Sequence, residues 1–169
     1  MKIPITNLDL GVQNILGTQN TILIVIFLAI THSIYLLFLL EAYLLYKKNK
    51  ISANFTKFFL AIILIFIITG AFKYFFERER PNLSGENSFP SRHAALAAAM
   101  ALFWPIKSKW QKGFVWVWAF LVCLSRIILN LHWFSDVIAG ALLGLCFAHI
   151  LEKINFEKII KKLKFAKKQ

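Results

Sequence analysis

The stretch LSRIILNLHWFSDVIAG, Leu124 to Gly140, sets Ser125, Arg126, His132 and Asp136 within sequence apolar enough for a membrane. Each Arg or Asp near a bilayer centre costs about 2.5–3.5 kcal/mol on the insertion scale. Ionisable residues kept in that setting mark functional sites. His132 and Asp136 stand four apart, so on a helix they share a face within contact reach. A carboxylate that accepts a hydrogen bond from imidazole fixes the ring's tautomer and stabilises the imidazolium. That arrangement readies histidine for acid–base or nucleophilic work. The plainer alternative is a structural Arg126–Asp136 pair beside a helix-start histidine.

Two further polar segments precede this one. In KYFFERERPN, Lys73 and Arg80 are seven apart, two helical turns, and share a face. Pro81 prevents smooth continuation, so the helix ends at Arg80; the plainer alternative is a solvated helix end in which Glu77 pairs with Lys73 or Arg80. In SFPSRHAALAAAMALFW, Pro90 followed by Ser91 predicts a helix start with Ser91 as N-cap. The free N–H groups of such an end attract anions, and His93 stands in that first turn. The alanines that follow allow close helix packing in a membrane. An ordinary capped helix with an interfacial histidine is the alternative.

Whatever holds these residues is a membrane bundle. The chain has 169 residues, enough for one domain over 1–169, and 59% of them are hydrophobic, with 17 Phe and 5 Trp. Soluble domains run at about 45–50% apolar. The net charge of +12 is not one patch but lies in clusters between apolar runs, as expected beside anionic headgroups. Nucleic acid is therefore not an expected partner. Cys123 and Cys146 lie in apolar runs without metal-ligand spacing, and read as packing residues.

Residues 1–20 do not read as a signal peptide, because Pro4, Asp9 and Gln13 interrupt any apolar core. Leu8, Val12, Ile15 and Leu16 fall on one helical face, which predicts an interfacial segment along the membrane surface. Apolar runs follow at Thr21–Tyr46, Asn54–Phe76, Ser91–Ile106, Gly113–Asn130 and Leu131–Leu151. Spanning hydrocarbon takes about 20 helical residues, so the third run is short and one of its ends is expected below the surface. The expected fold is all-α: about five transmembrane helices plus an amino-terminal interfacial helix.

Lys and Arg in the loops orient the bundle. KKNK with Lys57, KSKWQK and KIIKKLKFAKK would share the cytoplasmic side, leaving the amino terminus outside and the carboxyl terminus inside. The loop ERERPNLSGENSF would then lie outside, where Arg78 and Arg80 break the charge rule. With that topology, Lys73, Arg80, Ser91, Arg92, His93, Arg126, His132 and Asp136 all meet at one outer face. Cations, a helix N-terminus and two histidines describe a site for a phosphate that reacts.

At these residues the chain resembles the type-2 phosphatidic acid phosphatase superfamily, which includes bacterial lipid phosphatases and soluble vanadium haloperoxidases. The family's K-x-x-x-x-x-x-R-P is Lys73 to Arg80-Pro81 here, its P-S-G-H is Pro90-Ser91-Arg92-His93, and its S-R-x-x-x-x-x-H-x-x-x-D is Ser125-Arg126 to His132 to Asp136. The resemblance covers residues 73–136 and departs once, with Arg92 in place of the usual glycine. It implies that His132 is the nucleophile and forms a phosphohistidine, that Asp136 holds and polarises it, and that His93 protonates the leaving oxygen. It implies a phosphate cradle of Lys73, Arg80, Ser91, Arg126 and the Arg92 backbone, with no metal and no cofactor.

The expected partner is a lipid phosphate or diphosphate presented at the outer leaflet of a bacterial inner membrane. Undecaprenyl diphosphate is the first choice, with the Arg92 side chain adding charge for a second phosphate. Phosphatidylglycerophosphate, phosphatidate and a lipid A phosphate are alternatives. A non-catalytic transporter or binder of anionic lipid is the reading from a different class; it predicts tolerance of His132→Ala. His32, Glu41 and His149 fall in spans away from the motifs, with Glu41 expected to meet Lys47 or Lys48. Glu77, Glu79 and Glu86 read as loop solvation, and Gly140–Gly144 has the spacing that seats a helix within its own bundle.

Overall fold

A computed structural model of the chain describes residues 1–49, 53–85, 87–105 and 108–156. Glu86 and the basic stretch after 156, expected in a loop and at the inner surface, lie outside the described residues. Among the described residues the fold is all-α, with six helices: α1 Asn7–Leu16, α2 Thr21–Asn49, α3 Ala53–Phe75, α4 Arg92–Phe103, α5 Lys109–Ile128 and α6 Phe134–Lys153. Their β pairing consists of isolated bridges, Lys2 with Glu77 and Arg78 with Asn87. The first laces the amino terminus to the segment after α3, and the second joins two points of the loop that follows.

Four helices are long and apolar enough to cross a membrane: α2, α3, α5 and α6. The third apolar run gives only the 12 residues of α4. At about 1.5 Å per residue, that helix covers little more than half of a hydrocarbon core roughly 30 Å thick. Instead of facing lipid, α4 is the hub. It packs against α2, α3, α5 and most extensively α6. Its alanines Ala94, Ala95, Ala97, Ala98, Ala99 and Ala101 are all buried. Small side chains suit this role, because association in lipid depends on close backbone approach.

The α4–α6 contact is closest where the sequence predicts it. A Cβ added at Gly140 would collide with the carbonyl oxygen of Ser91, and one at Gly144 with that of Ala95. The two glycines therefore set the distance between α6 and the helix that begins at Ser91. Asn130, which the sequence marks as a break, adopts the left-handed conformation at φ 54° between α5 and α6. Asn is among the few non-glycine residues that tolerate it.

Three minor expectations are corrected. Glu41 does not reach the inner surface. It is fully buried, and neither carboxyl oxygen has a hydrogen-bond partner, because its face of α2 turns into the bundle. Cys146 is exposed on the outside of α6 rather than packed. On α1 the apolar residues divide. Val12 and Leu16 pack against a cluster of Ala94, Ile127 and Val137, whereas Leu8 and Ile15 face outward. The helix opens with a capping box in which Thr6 and Asp9 serve each other's backbone N–H. Gln13 then donates to the Ile127 carbonyl and the Asn130 side chain, fastening α1 across the ends of α5 and α6.

Candidate active site

The end of α3, the start of α4, the end of α5 and the start of α6 meet at one end of the bundle, beneath α1. Lys73, in the last turn of α3, donates to the carbonyls of Asn87 at 2.6 Å and Ser88 at 3.4 Å. That is its observed engagement, in place of a pairing with Glu77. Arg80 lies past the helix end and reaches the carbonyls of Leu131 and Asn87, each at 3.5 Å.

Ser91 is the N-cap residue of α4, but its side chain makes no capping bond. Its backbone N–H donates to the Asp136 carbonyl at 3.0 Å, which fixes the start of α4 against the start of α6. Arg126 is buried in the last turn of α5 and donates to Thr31 Oγ1 at 3.3 Å. Thr31 in turn pairs with Ser125 Oγ at 2.7 Å. Ser125 thus orients its neighbour through a threonine of α2 that carries no motif.

His132 occupies the connection before α6, with its backbone N–H bonded to the Arg126 carbonyl at 3.1 Å. Its Nδ1 faces Asp136 Oδ2 at 3.7 Å, longer than a hydrogen bond. Catalytic contacts are often this loose without substrate and tighten in the complex. The same Oδ2 accepts the Trp133 N–H at 2.9 Å, so Asp136 also caps the first turn of α6. Burial pushes the His132 imidazole down to about 4; Asp136 opposes this, and the Arg126 and Lys73 cations add to it. At neutral pH the ring is uncharged and its lone pair is free.

His93 is half-buried in the first turn of α4, close enough to feel the charges of Arg126, His132 and Arg92. Lys73 likewise senses Arg80, Arg92, Arg126 and Asp136. The seven ionisable residues expected at the site are therefore in one electrostatic neighbourhood, and Ser91 joins them through its bond to the Asp136 carbonyl. Ser91 Oγ and Arg126 Nε are buried there without hydrogen-bond partners. A buried polar atom left unpaired costs about 1–3 kcal/mol, so each marks a place where a ligand's oxygens gain more than they would in water.

Arg92 behaves differently from the others. Its Nε donates to Thr69 Oγ1 at 2.9 Å, and its guanidinium lies over the Phe66 ring at 4.7 Å from the centroid. The side chain is drawn to α3.

Arg78 was expected to be one of two loop charges outside the membrane, yet it is buried. Its Nη1 donates to Asp136 Oδ1 and, at 2.7 Å, to Ser135 Oγ. Its Nη2 donates to Asp9 Oδ2 at 2.6 Å and to the Pro4 carbonyl at 3.1 Å. Asp9 completes the set by accepting the Ser135 N–H and hydroxyl, both at 2.9 Å. The clue in the sequence was that two arginines broke the charge rule and only Arg80 had a role. Asp9 left no such clue.

The arrangement defines a helical membrane protein whose cations and histidines gather at one end of the bundle. Residues 54–160 match the PAP2 superfamily, and the chain belongs to that superfamily. It is a multi-pass membrane protein. It is 38% identical over 82 residues to a lipid A 1-phosphatase of Porphyromonas gingivalis, covering 46% of this chain and 18% of that protein. It is 37% identical over 62 residues to a lipid A 4'-phosphatase of Bacteroides thetaiotaomicron, covering 36% of this chain and 28% of that one. The matched part is thus under a third of either relative. Among solved structures, Aquifex aeolicus LpxE is similar with a TM-score of 0.79 and 27% identity, over 91% of this chain and all of that one. A PAP2-type phosphatidylglycerolphosphate phosphatase from Bacillus subtilis shares the fold, with a TM-score of 0.69 at 24% identity over 90% of this chain and 85% of that one.

Proposed function

We propose that the protein is a lipid phosphatase of the bacterial inner membrane, acting at the outer leaflet through a phosphohistidine on His132. One observation carries the reading. A buried, uncharged histidine faces a carboxylate inside a ring of cations whose inner donors, Ser91 Oγ and Arg126 Nε, are unpaired.

His132 Nε2 attacks phosphorus as Nδ1–H turns to Asp136. The P–O bond to the lipid breaks, and His93 protonates the departing oxygen. His93 then takes a proton from water, whose oxygen attacks phosphorus, breaks the P–N bond and releases inorganic phosphate. Lys73, Arg80, Ser91, Arg126 and the Arg92 backbone N–H hold the phosphoryl oxygens throughout. Such preorganised charge is the main lever in phosphoryl transfer.

A lipid A phosphate is the substrate favoured by the names of the similar proteins. Undecaprenyl diphosphate is the second reading. Its case is the small chain, an outward-facing site and Arg92 charge for a second phosphate, and of these the Arg92 guanidinium is engaged by Thr69 and Phe66. Phe66 also lines an apolar groove of about 230 Å³ between α2 and α3, with Tyr35, Ile62 and Leu96, where the lipid's chain lies beside the headgroup site. The Lys- and Arg-rich loops at the opposite end of the bundle support an outward-facing site, since such loops favour the cytoplasmic side.

The test is phosphate release in detergent with EDTA, from lipid A, undecaprenyl diphosphate, phosphatidylglycerophosphate and phosphatidate. Release from one lipid, lost by about 10³-fold or more in His132→Ala, supports the enzyme and names its substrate. Lipid binding with no release, or an unaffected mutant, leaves the non-catalytic binder as the reading.

A further inference from the structure

Asp136 has two oxygens and two sets of partners. Oδ2 faces His132 and accepts the Trp133 N–H, while Oδ1 is held by Arg78. Arg78 is held in turn by Asp9, from a helix outside the membrane-spanning core. All three charged side chains are buried, where ion pairs are costly to form and costlier to break. A simple staple between α1 and α6 needs no charges, so this one serves a further end.

We propose that Asp9 and Arg78 are positioning residues of the reaction: Asp9 anchors Arg78, Arg78 anchors Asp136, and together they aim the carboxylate that orients the His132 ring. The inference rests on His132 being the nucleophile. Two carboxylates and one guanidinium carry one net negative charge beside a neutral imidazole. Attack on phosphorus makes that ring cationic, and the set is then balanced. Arg78 alone with Asp136 would be neutral from the start and would leave the phosphorylated ring uncompensated. Two carboxylates without Arg78 would repel and disorder the one that matters. Ser135, bonded to both Arg78 and Asp9, holds the trio to the first turn of α6.

The test compares kcat, KM, the acid limb of kcat/KM and thermal stability for wild type, Arg78→Lys, Arg78→Met, Asp9→Asn and the double variant Asp9→Asn/Arg78→Met, with His132→Ala as baseline. Arg78→Met lowers kcat by about 10–100-fold, the range seen for outer partners that orient a metal-site histidine, with KM little changed. Arg78→Lys restores part of the loss. Asp9→Asn lowers kcat less, and in the Arg78→Met background it adds no further loss and restores part of the activity by removing the repulsion.

The acid limb separates positioning from stapling. His132 is faced by Asp136 of α6, Arg126 of α5, Lys73 of α3 and His93 of α4. Removing Arg78 leaves more negative charge on that side and moves the limb to higher pH. Removing Asp9 moves it lower or leaves it in place. The proposal is overturned if both variants keep wild-type kcat and limb, or if activity falls only in step with melting temperature while the limb stays fixed. Should Arg78→Met fail to fold, Arg78→Lys and Asp9→Asn decide the matter by the same readouts. Full activity in His132→Ala would instead sink the phosphohistidine reading itself.

Discussion

The roles proposed for His93 and His132 differ, and chemistry can separate them. A general acid matters most when the leaving group is a poor one. His93→Ala is expected to slow release from a lipid phosphate by about 10²–10⁴-fold but to slow p-nitrophenyl phosphate far less, since that leaving group needs no proton. Equal losses on both substrates would contradict the role. The proposed nucleophile sets one acid limb: with its folded value held near 4 by burial, His132 stays uncharged and by itself causes no fall in kcat/KM until pH falls towards 4. A limb near 6.5, the ordinary histidine value, would contradict it.

Asp9 gives a separate acid signature. Burial alone would raise its carboxyl, but donors from Ser135 and Thr6 outweigh this and hold it at about 2. A depressed carboxylate stabilises the fold above its unfolded value, near 3.9, and that contribution fades as pH falls through about 2. The melting temperature of wild type should therefore drop between pH 4 and pH 2 more than that of Asp9→Asn. At this scale the residues proposed to react could be named from the sequence, because the spacing within each motif is local. Arg78 and Asp9 could not, because their contacts join residues 69 and 126 positions apart and no local spacing pairs them.

Helix contacts carry their own prediction. Gly144→Ala puts a methyl against the Ala95 carbonyl, and overpacking of that kind costs about 1–3 kcal/mol. Detergent melting should show a clear loss. Gly113→Ala, where a Cβ meets nothing within 4 Å, should melt like wild type or slightly higher, since alanine is the better helix former. Equal melting of the two variants would contradict the close α4–α6 approach. The glycine spacing and the alanine run announced this contact. What they could not show is that α4 is a hub, since an apolar run looks the same whether lipid or protein surrounds it. Glu41 was misplaced at the inner surface for the same reason: the partnering of α2's faces is not written in a helix apolar on every side.

For the whole molecule, the apolar runs and the clustering of the motifs at one end of the bundle were legible, and the side of the membrane is open to direct test. Ser84→Cys should react with an impermeant maleimide added to spheroplasts, and Lys109→Cys should react only after lysis. The reverse pattern would invert the proposed orientation. Cys123 and Cys146 supply the background to subtract. The knot of Asp9, Arg78 and Ser135 has one more consequence, for a chain still being made. Ser135 follows Asp9 by 126 residues, so in a chain inserted helix by helix the Asp136 carboxylate has its full set of partners only once α6 is placed. A half-inserted chain would carry the cations of the proposed site without that geometry. Competence would then come in a single late step of biogenesis, when α6 closes against α1.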